Sequence, residues 1–205
     1  MREPVTGIVL AGGAGRRLRM DKPALPFGDR RLLQLTVDVL SEICVDVLVA
    51  CGRRAPEELP AVPARLVPDG WPGRGPLGGL HAGLRAMDTE YAVVLACDMP
   101  FVNPDLLRYL LRRRSGVQAV VPVIHGALQP LHAVYSKACY PLAASLLSEE
   151  ENRLGELLRR LDLTLVTEEE LRGFDARLSV FNVNYPPDLE RAQSLWQKSH
   201  AAPAA

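Results

Sequence analysis

The stretch Tyr91-Ala-Val-Val-Leu-Ala-Cys97 carries no charge and no polar alternation. A strand that is apolar on both faces has to be covered on both, which is the situation of a central strand in a parallel sheet flanked by helices. The rest of the chain fits that frame. Residues 5–10 read as a first strand, 32–43 place Leu33, Val37 and Leu40 at helical spacing, 45–50 return to strand, and 65–68 form a shorter one. This alternation is the pattern of βαβ units and predicts an α/β protein with a mostly parallel central sheet. Asn103 caps a helix with Pro104 at its first position and Arg112, Arg113 and Arg114 in its last turn, where cations offset the helix dipole. Further strands are expected at 118–123, 128–135, 163–167 and 178–183, and further helices at 138–147, near 154–161 and from Pro186 toward Lys198. No repeat or low-complexity linker divides the 205 residues, so a single domain over 1–205 is expected.

Charge narrows the choice of partners. The 24 Lys and Arg balance the 24 Asp and Glu, and a chain without basic excess lacks the means to release counterions from nucleic acid or to meet anionic lipid. Neither is an expected partner. Cys44, Cys51, Cys97 and Cys139 form no CxxC and lie near no His pair, so they are expected as reduced, buried thiols. No apolar run approaches the roughly 18 residues of a membrane span, and residues 1–10 lack the apolar region of a signal peptide; a cytoplasmic location is expected. Only Lys22, Lys137 and Lys198 among the 24 cations are lysines, so each stands out.

Lys22 closes the most informative segment. Leu10-Ala11-Gly12-Gly13-Ala14-Gly15-Arg16-Arg17 follows the first strand directly, at the carboxyl edge where open α/β sheets bind ligands. Three glycines in four residues free the backbone to present N–H groups to an anion. Between residues 15 and 22, four cations less Asp21 leave +3. A polyphosphate suits that charge. The chain contains no Gly-Lys, which excludes a P-loop NTPase, and a dinucleotide fingerprint would need glycine at Leu18. Gly73-Arg74-Gly75-Pro76-Leu77-Gly78 spells GxGxxG but starts past its strand and holds a proline, so it is not read as a dinucleotide site.

Asp98 ends the apolar strand at the same edge. The next helix already has its cap in Asn103, and a carboxylate beside a polyphosphate needs an intervening cation, so Asp98 reads as a Mg2+ ligand, with a structural turn as the alternative. Asn184 either adds a neutral oxygen to that metal or is a plain turn residue before Pro186. Asp69 precedes Gly70, a turn signal as well as a candidate binding group. His81, His125, His132 and His200 have no metal-like spacing and are expected to be satisfied or exposed, and Glu149 to Glu151 and Glu168 to Glu170 read as solvated faces.

Leu10-Ala11-Gly12-Gly13, Arg17 and Asp21-Lys22 together resemble the LAGGxxxRMGxDK signature of the molybdenum cofactor guanylyltransferases, with Leu18-Arg19 in place of Met-Gly. The segments Gly75-Pro76-Leu77-Gly78-Gly79-Leu80, Cys97-Asp98-Met99-Pro100, Gln129-Pro130-Leu131 and Phe181-Asn182-Val183-Asn184 resemble the same family in the same order, nearly end to end. The resemblance implies a three-layer, Rossmann-like nucleotidyltransferase fold of the GT-A-like kind, its N-terminal half binding nucleotide and its C-terminal half the acceptor. It implies transfer of GMP from GTP to the phosphate of molybdopterin, with pyrophosphate released. Leu10, Ala11, Gly12, Gly13, Lys22, Asp69 and Asp98 would then contact the nucleotide, Lys22, Arg17 and Asp98 would promote transfer, and Asp98 with Asn184 would hold Mg2+. A carboxylate at Asp69 suits the N–H donors of guanine's Watson-Crick edge. Arg153 is a weaker candidate for gripping the second substrate. Transient contact with molybdoenzymes or other cofactor-biosynthesis proteins is a further expectation. Two other readings compete: a cytidylyl- or sugar-phosphate nucleotidyltransferase on the same scaffold, disfavoured by Gly12-Gly13 where those groups usually carry Ala-Gly, and a noncatalytic module that binds GTP and carries a pterin.

Overall fold

The computed structural model describes residues 2–12 and 20–200. In chain order its elements are β1 (Glu3–Leu10), β2 (Pro26–Phe27), β3 (Arg30–Arg31), α1 (Leu32–Ile43), β4 (Cys44–Ala50), β5 (Arg65–Val67), α2 (Gly75–Ala86), β6 (Tyr91–Ala96), α3 (Pro104–Arg112), β7 (Ala119–Ile124), β8 (Ala127–Leu128), β9 (His132–Ser136), α4 (Tyr140–Ser148), α5 (Leu154–Arg159), β10 (Leu163–Val166), α6 (Ala176–Ser179) and α7 (Pro186–His200). The main sheet runs β10-β7-β9-β6-β1-β4-β5, with β8 attached to β7. Along that path only β9 is antiparallel to its neighbours, β6 and β7. The expected mostly parallel sheet is what forms.

Side-chain alternation along β1 sorts the core into two layers. Val5 and Val9 join Leu33, Val37 and Leu40 of α1 and Leu106 and Leu110 of α3 on one face. Ile8 and Leu10 join Leu77, Leu80 and Leu84 of α2, with Leu146 of α4 and Leu157 of α5, on the other. Each such side chain contributes about 1.5–3 kcal/mol on full burial, which is why β6, lined on both faces, sits inside the sheet. All four cysteines are buried and free, as expected. Burial pushes the thiols of Cys44 and Cys139 up to about 12, so neither supplies a thiolate near neutral pH.

A third, smaller cluster matters for the site. Leu25, Phe27, Leu32, Leu35, Val183 and Ala192 pack together, joined by Phe101 and Trp196. Phe27 meets the rings of Trp196 and Phe101 edge-on at 5.3 and 6.0 Å. This cluster clamps α7 and the β2-β3 hairpin, which the sequence pattern did not suggest, onto the segment that follows β6.

Two expected strands differ. Residues 178–183 do not extend the sheet: Asp175 adopts a left-handed φ of 47°, and the carbonyls of Asp175 and Ala176 accept from Ser179 and Val180, closing the short α6. Residues 128–135 split into two strands, because His125 and Gly126, both at positive φ, reverse the chain into β8 before it turns at Pro130 and re-enters the sheet as β9. No helix among the described residues is long and apolar enough to cross a membrane.

Candidate active site

The carboxyl ends of β1, β4 and β6 are knotted together by the backbone. Leu10 O accepts from Cys97 N at 3.2 Å, and Ala11 N donates to Ala50 O at 3.0 Å. The Ala11 N–H is therefore spent in the sheet and is not the group Ala11 would offer a phosphate. Gly12 lies against Gly52, whose φ is +66°; a Cβ on Gly12 would come within 2.6 Å of the Gly52 Cα. The first glycine of the loop is thus required for close approach of two chain segments. Gly13 and Arg17 lie outside the described residues.

Three expected site residues from distant parts of the chain meet here. Lys22 Nζ donates to Asp98 Oδ2 at 2.5 Å and to Asn184 Oδ1 at 2.9 Å. The Lys22 and Asp98 side chains are each only 12% exposed, so the pair lies in a setting where charge is weakly screened. Asp98 Oδ1 is buried and, among the described residues, has no hydrogen-bond partner. The expected position of Lys22, on a nucleotide phosphate, differs from its partners here, which are the two groups expected to hold metal.

Each member is held by its surroundings. Asp98 follows β6, and its carbonyl accepts from Val183 N at 3.0 Å, which fixes the approach of the chain to Asn184. Asp188 Oδ2, at the start of α7, accepts from the amides of Asn184 and Tyr185 at 3.0 and 2.8 Å. Lys22 sits in a turn closed by Ala24 N to Asp21 O and Leu25 N to Lys22 O, and Asp21 pairs with Arg54 at 2.7 Å. Arg54 and Asp188 were not singled out from the sequence. An acid in the first turn after Asn184-Tyr185-Pro186 was the available signal for Asp188; nothing local marks Arg54.

Asp69 follows β5, three strands from β6 in the sheet. At about 4.8 Å per strand that is about 14 Å from Asp98, the scale of an extended nucleotide. Its Oδ1 accepts from Trp71 N at 2.8 Å, so the turn reading of Asp69 describes one of its oxygens. Burial raises its pKa, and the Trp71 bond opposes the rise. Gly78 of α2 faces it, where a Cβ would come within 2.9 Å of Oδ2. The segment Gly73 to Gly78 therefore serves as the approach to α2 and the wall beside Asp69.

A second buried polar group lies at the same end of the sheet. His132, opposite Leu95 in the β6-β9 register, is fully buried; its Nε2 contacts Ser179 Oγ at 3.3 Å and its Nδ1 has no partner among the described residues. Ser179 Oγ also accepts from Asn103 N at 2.9 Å. Asn103 Oδ1 caps α3 as expected, accepting from Asp105 and Leu106. His81 is likewise buried with Nδ1 unpartnered, stacked on Tyr140 at 4.9 Å. The expectation that the histidines are satisfied or exposed is corrected for these two. Arg153 is turned to Glu151, which accepts its guanidinium at 3.0 and 2.6 Å. The acidic runs lie at the surface, as expected, where Glu151, Glu168 and Glu170 bond backbone amides and arginines.

Among the described residues no group of three or more His, Cys, Asp or Glu could hold a metal. A hard cation bound by one carboxylate, one amide oxygen and substrate phosphates, which is how Mg2+ is usually held, needs no such group. The unpartnered Asp98 Oδ1 is the observation that fits a cation here.

The family model for the MobA-like NTP transferase domain matches residues 7–165. A probable molybdenum cofactor guanylyltransferase of Pelotomaculum thermopropionicum is 35% identical over 95% of this chain and 94% of its own length. The crystal structure of molybdopterin-guanine dinucleotide biosynthesis protein A from Archaeoglobus fulgidus superposes with a TM-score of 0.81 at 29% identity, covering 95% of this chain and all of that one. A 2-C-methyl-D-erythritol 4-phosphate cytidylyltransferase of Thermus thermophilus superposes at 0.70 with 19% identity, covering 96% of this chain and all of that one. The fold is shared by proteins of different base specificity, so the base must be argued from residues.

Proposed function

This chain belongs to the MobA-like NTP transferase family, and on that premise we propose that it is a molybdenum cofactor guanylyltransferase, transferring GMP from GTP to the phosphate of molybdopterin. An oxygen of the acceptor phosphate attacks the α-phosphorus of GTP in line, the bond from that phosphorus to the bridging oxygen of the β-phosphate breaks, and pyrophosphate leaves. Such transfer needs positioning and neutralisation of charge more than an acid or base. The convergence of Lys22, Asp98 and Asn184 at the end of β6 carries the reading, because it concentrates a cation and two metal-type oxygens where the glycine loop begins.

In this reading Asp98 and Asn184 would hold Mg2+, which would supply neutralisation of phosphate charge. Leu10, Ala11, Gly12 and Gly13 shape the nucleotide cradle, with Arg17 and Lys22 as its cations, and Asp69 accepts from the guanine edge. The N-terminal half serves the nucleotide and the C-terminal half the acceptor, within one domain over 1–205.

Pyrophosphate release is measured with GTP, CTP and ATP, each with and without molybdopterin. Release with GTP, dependent on the acceptor, is expected. Equal or faster release with CTP overturns the guanylyl assignment, and GTP binding without release points to the carrier reading. Asp69→Asn is expected to lower the GTP preference about tenfold, the scale of one base-edge hydrogen-bond pair; an unchanged preference removes Asp69 from base recognition.

A further inference from the structure

We propose that Lys22 is the built-in counter-ion of the metal site, and that Mg2+ and the Lys22 ammonium exchange on Asp98 when the site is loaded. The inference rests on the reading of Asp98 as a metal ligand and goes beyond it, because it gives Lys22 two successive positions.

The geometry sets up a competition. Lys22 Nζ lies on Asp98 Oδ2 at 2.5 Å and on Asn184 Oδ1 at 2.9 Å, which are the two residues that would hold the cation. A Mg2+ ion takes its oxygens at about 2.0–2.1 Å and demands near-octahedral geometry. An ammonium keeping both contacts would then stand within about 4 Å of a divalent ion in a weakly screened setting, where like charges repel strongly. One of the two must leave. Asp98 Oδ1, buried and unpartnered among the described residues, gives the incoming cation a first oxygen before the ammonium departs.

The chain permits this exchange without refolding. The backbone at Lys22 is pinned by the Asp21–Arg54 pair at 2.7 Å and by the turn bonds from Ala24 N and Leu25 N. Only the four-carbon lysine stem has to swing, and a lysine is a compact charge on a flexible stem. Its destination is the nucleotide's phosphates, at the loop that begins beside Gly12. Two consequences follow. Lys22 weakens metal binding in the absence of nucleotide, since the cation must displace it. Metal and GTP assist each other, because the cation releases the ammonium that the phosphates then accept, and such coupling is reciprocal.

Only three lysines are present, so the full-length chain labelled at lysine Cε gives a simple NMR spectrum, with Lys22 assigned by its loss in Lys22→Met. Mg2+ alone is expected to shift the Lys22 signal while the exposed Lys198 stays fixed. Adding GTP is expected to shift the Lys22 signal a second time. By calorimetry, Lys22→Met is expected to bind Mg2+ about tenfold tighter than the parent without nucleotide. A Lys22 signal unmoved by bound Mg2+ overturns the exchange, as does a Lys22→Met affinity equal to or weaker than the parent's. Absence of Mg2+ binding to both chains overturns it too. If Mg2+ moves Lys22 but GTP neither binds nor shifts it, the exchange stands and the guanylyl reading fails.

Discussion

Two buried polar clusters sit near the carboxyl end of β6, and they are built on opposite principles. The Lys22, Asp98 and Asn184 cluster is charged, links residues 22, 98 and 184, and leaves one carboxylate oxygen unpartnered. The His132, Ser179 and Asn103 cluster also links distant segments, but its side chains carry no opposing charges. Burial alone pushes the His132 pKa down to about 3, which keeps the ring neutral. Taking a lysine and a carboxylate out of water costs several kcal/mol that their attraction only roughly offsets, so a buried ion pair is weak evidence for stability. A neutral network avoids that cost and serves as a fastener. The charged cluster is where chemistry is expected, and the neutral one is what holds α3 and the segment before α7 in place around it.

The comparison is most strongly tested by removing charge without changing shape. Asp98→Asn is expected to lower GMP transfer at least about a hundredfold, while stability changes by less than about 1 kcal/mol, because the Lys22 ammonium can reach water along its stem. Transfer rates and urea midpoints on the same preparation decide this. Retained transfer, or collapse of the fold, would break the distinction between the clusters.

The converse holds for the fastener. Ser179→Ala strands the Asn103 amide and deprives His132 of its partner, so a loss of about 1–2 kcal/mol in unfolding free energy is expected. Transfer per folded molecule should be little changed. A variant as stable as the parent but much slower would place the network in the chemistry instead.

Near neutral pH the smallest effect comes from the proton of His132. The folded His132 pKa lies below its ordinary value of 6.5, at about 3. The unfolded chain therefore binds the proton first, and the stability this residue contributes is present above pH 6.5 and lost as pH falls from there toward 3. At pH 6 the loss is about 0.8 kcal/mol by that linkage. His132→Gln, neutral at every pH, should show a shallower fall in urea midpoint between pH 6.5 and 4 than the parent. Parallel curves would mean that His132 is charged or exposed in the folded chain.

Much of this molecule can be read from local pattern. The unbroken apolar run of β6, the periodicity of α1 and the Asn103-Pro104 start of α3 formed as expected because each is decided by burial or by capping within a few residues. The failures are equally local in cause. Residues 178–183 have strand-like composition, yet the left-handed Asp175 and its turn bonds take Leu178 and Ser179 into α6 and keep the segment out of the sheet. Ala11 has the right position for a phosphate loop, yet its amide is used by β4.

Neighbouring residues were enough to set the layered α/β core, the position of the glycine loop after the first strand, and the residue types that a polyphosphate and a cation require. These follow from periodicity, from the conformational freedom of glycine and from charge, all carried by neighbouring residues. Long-range packing sets which partner Lys22 has, that Arg54 pins its turn, that Asp188 fixes Asn184, and that His132 is left neutral and half-satisfied in the core. Those contacts join residues up to 162 positions apart. Their formation depends on a strand order and an aromatic clamp under α7 that no single segment encodes.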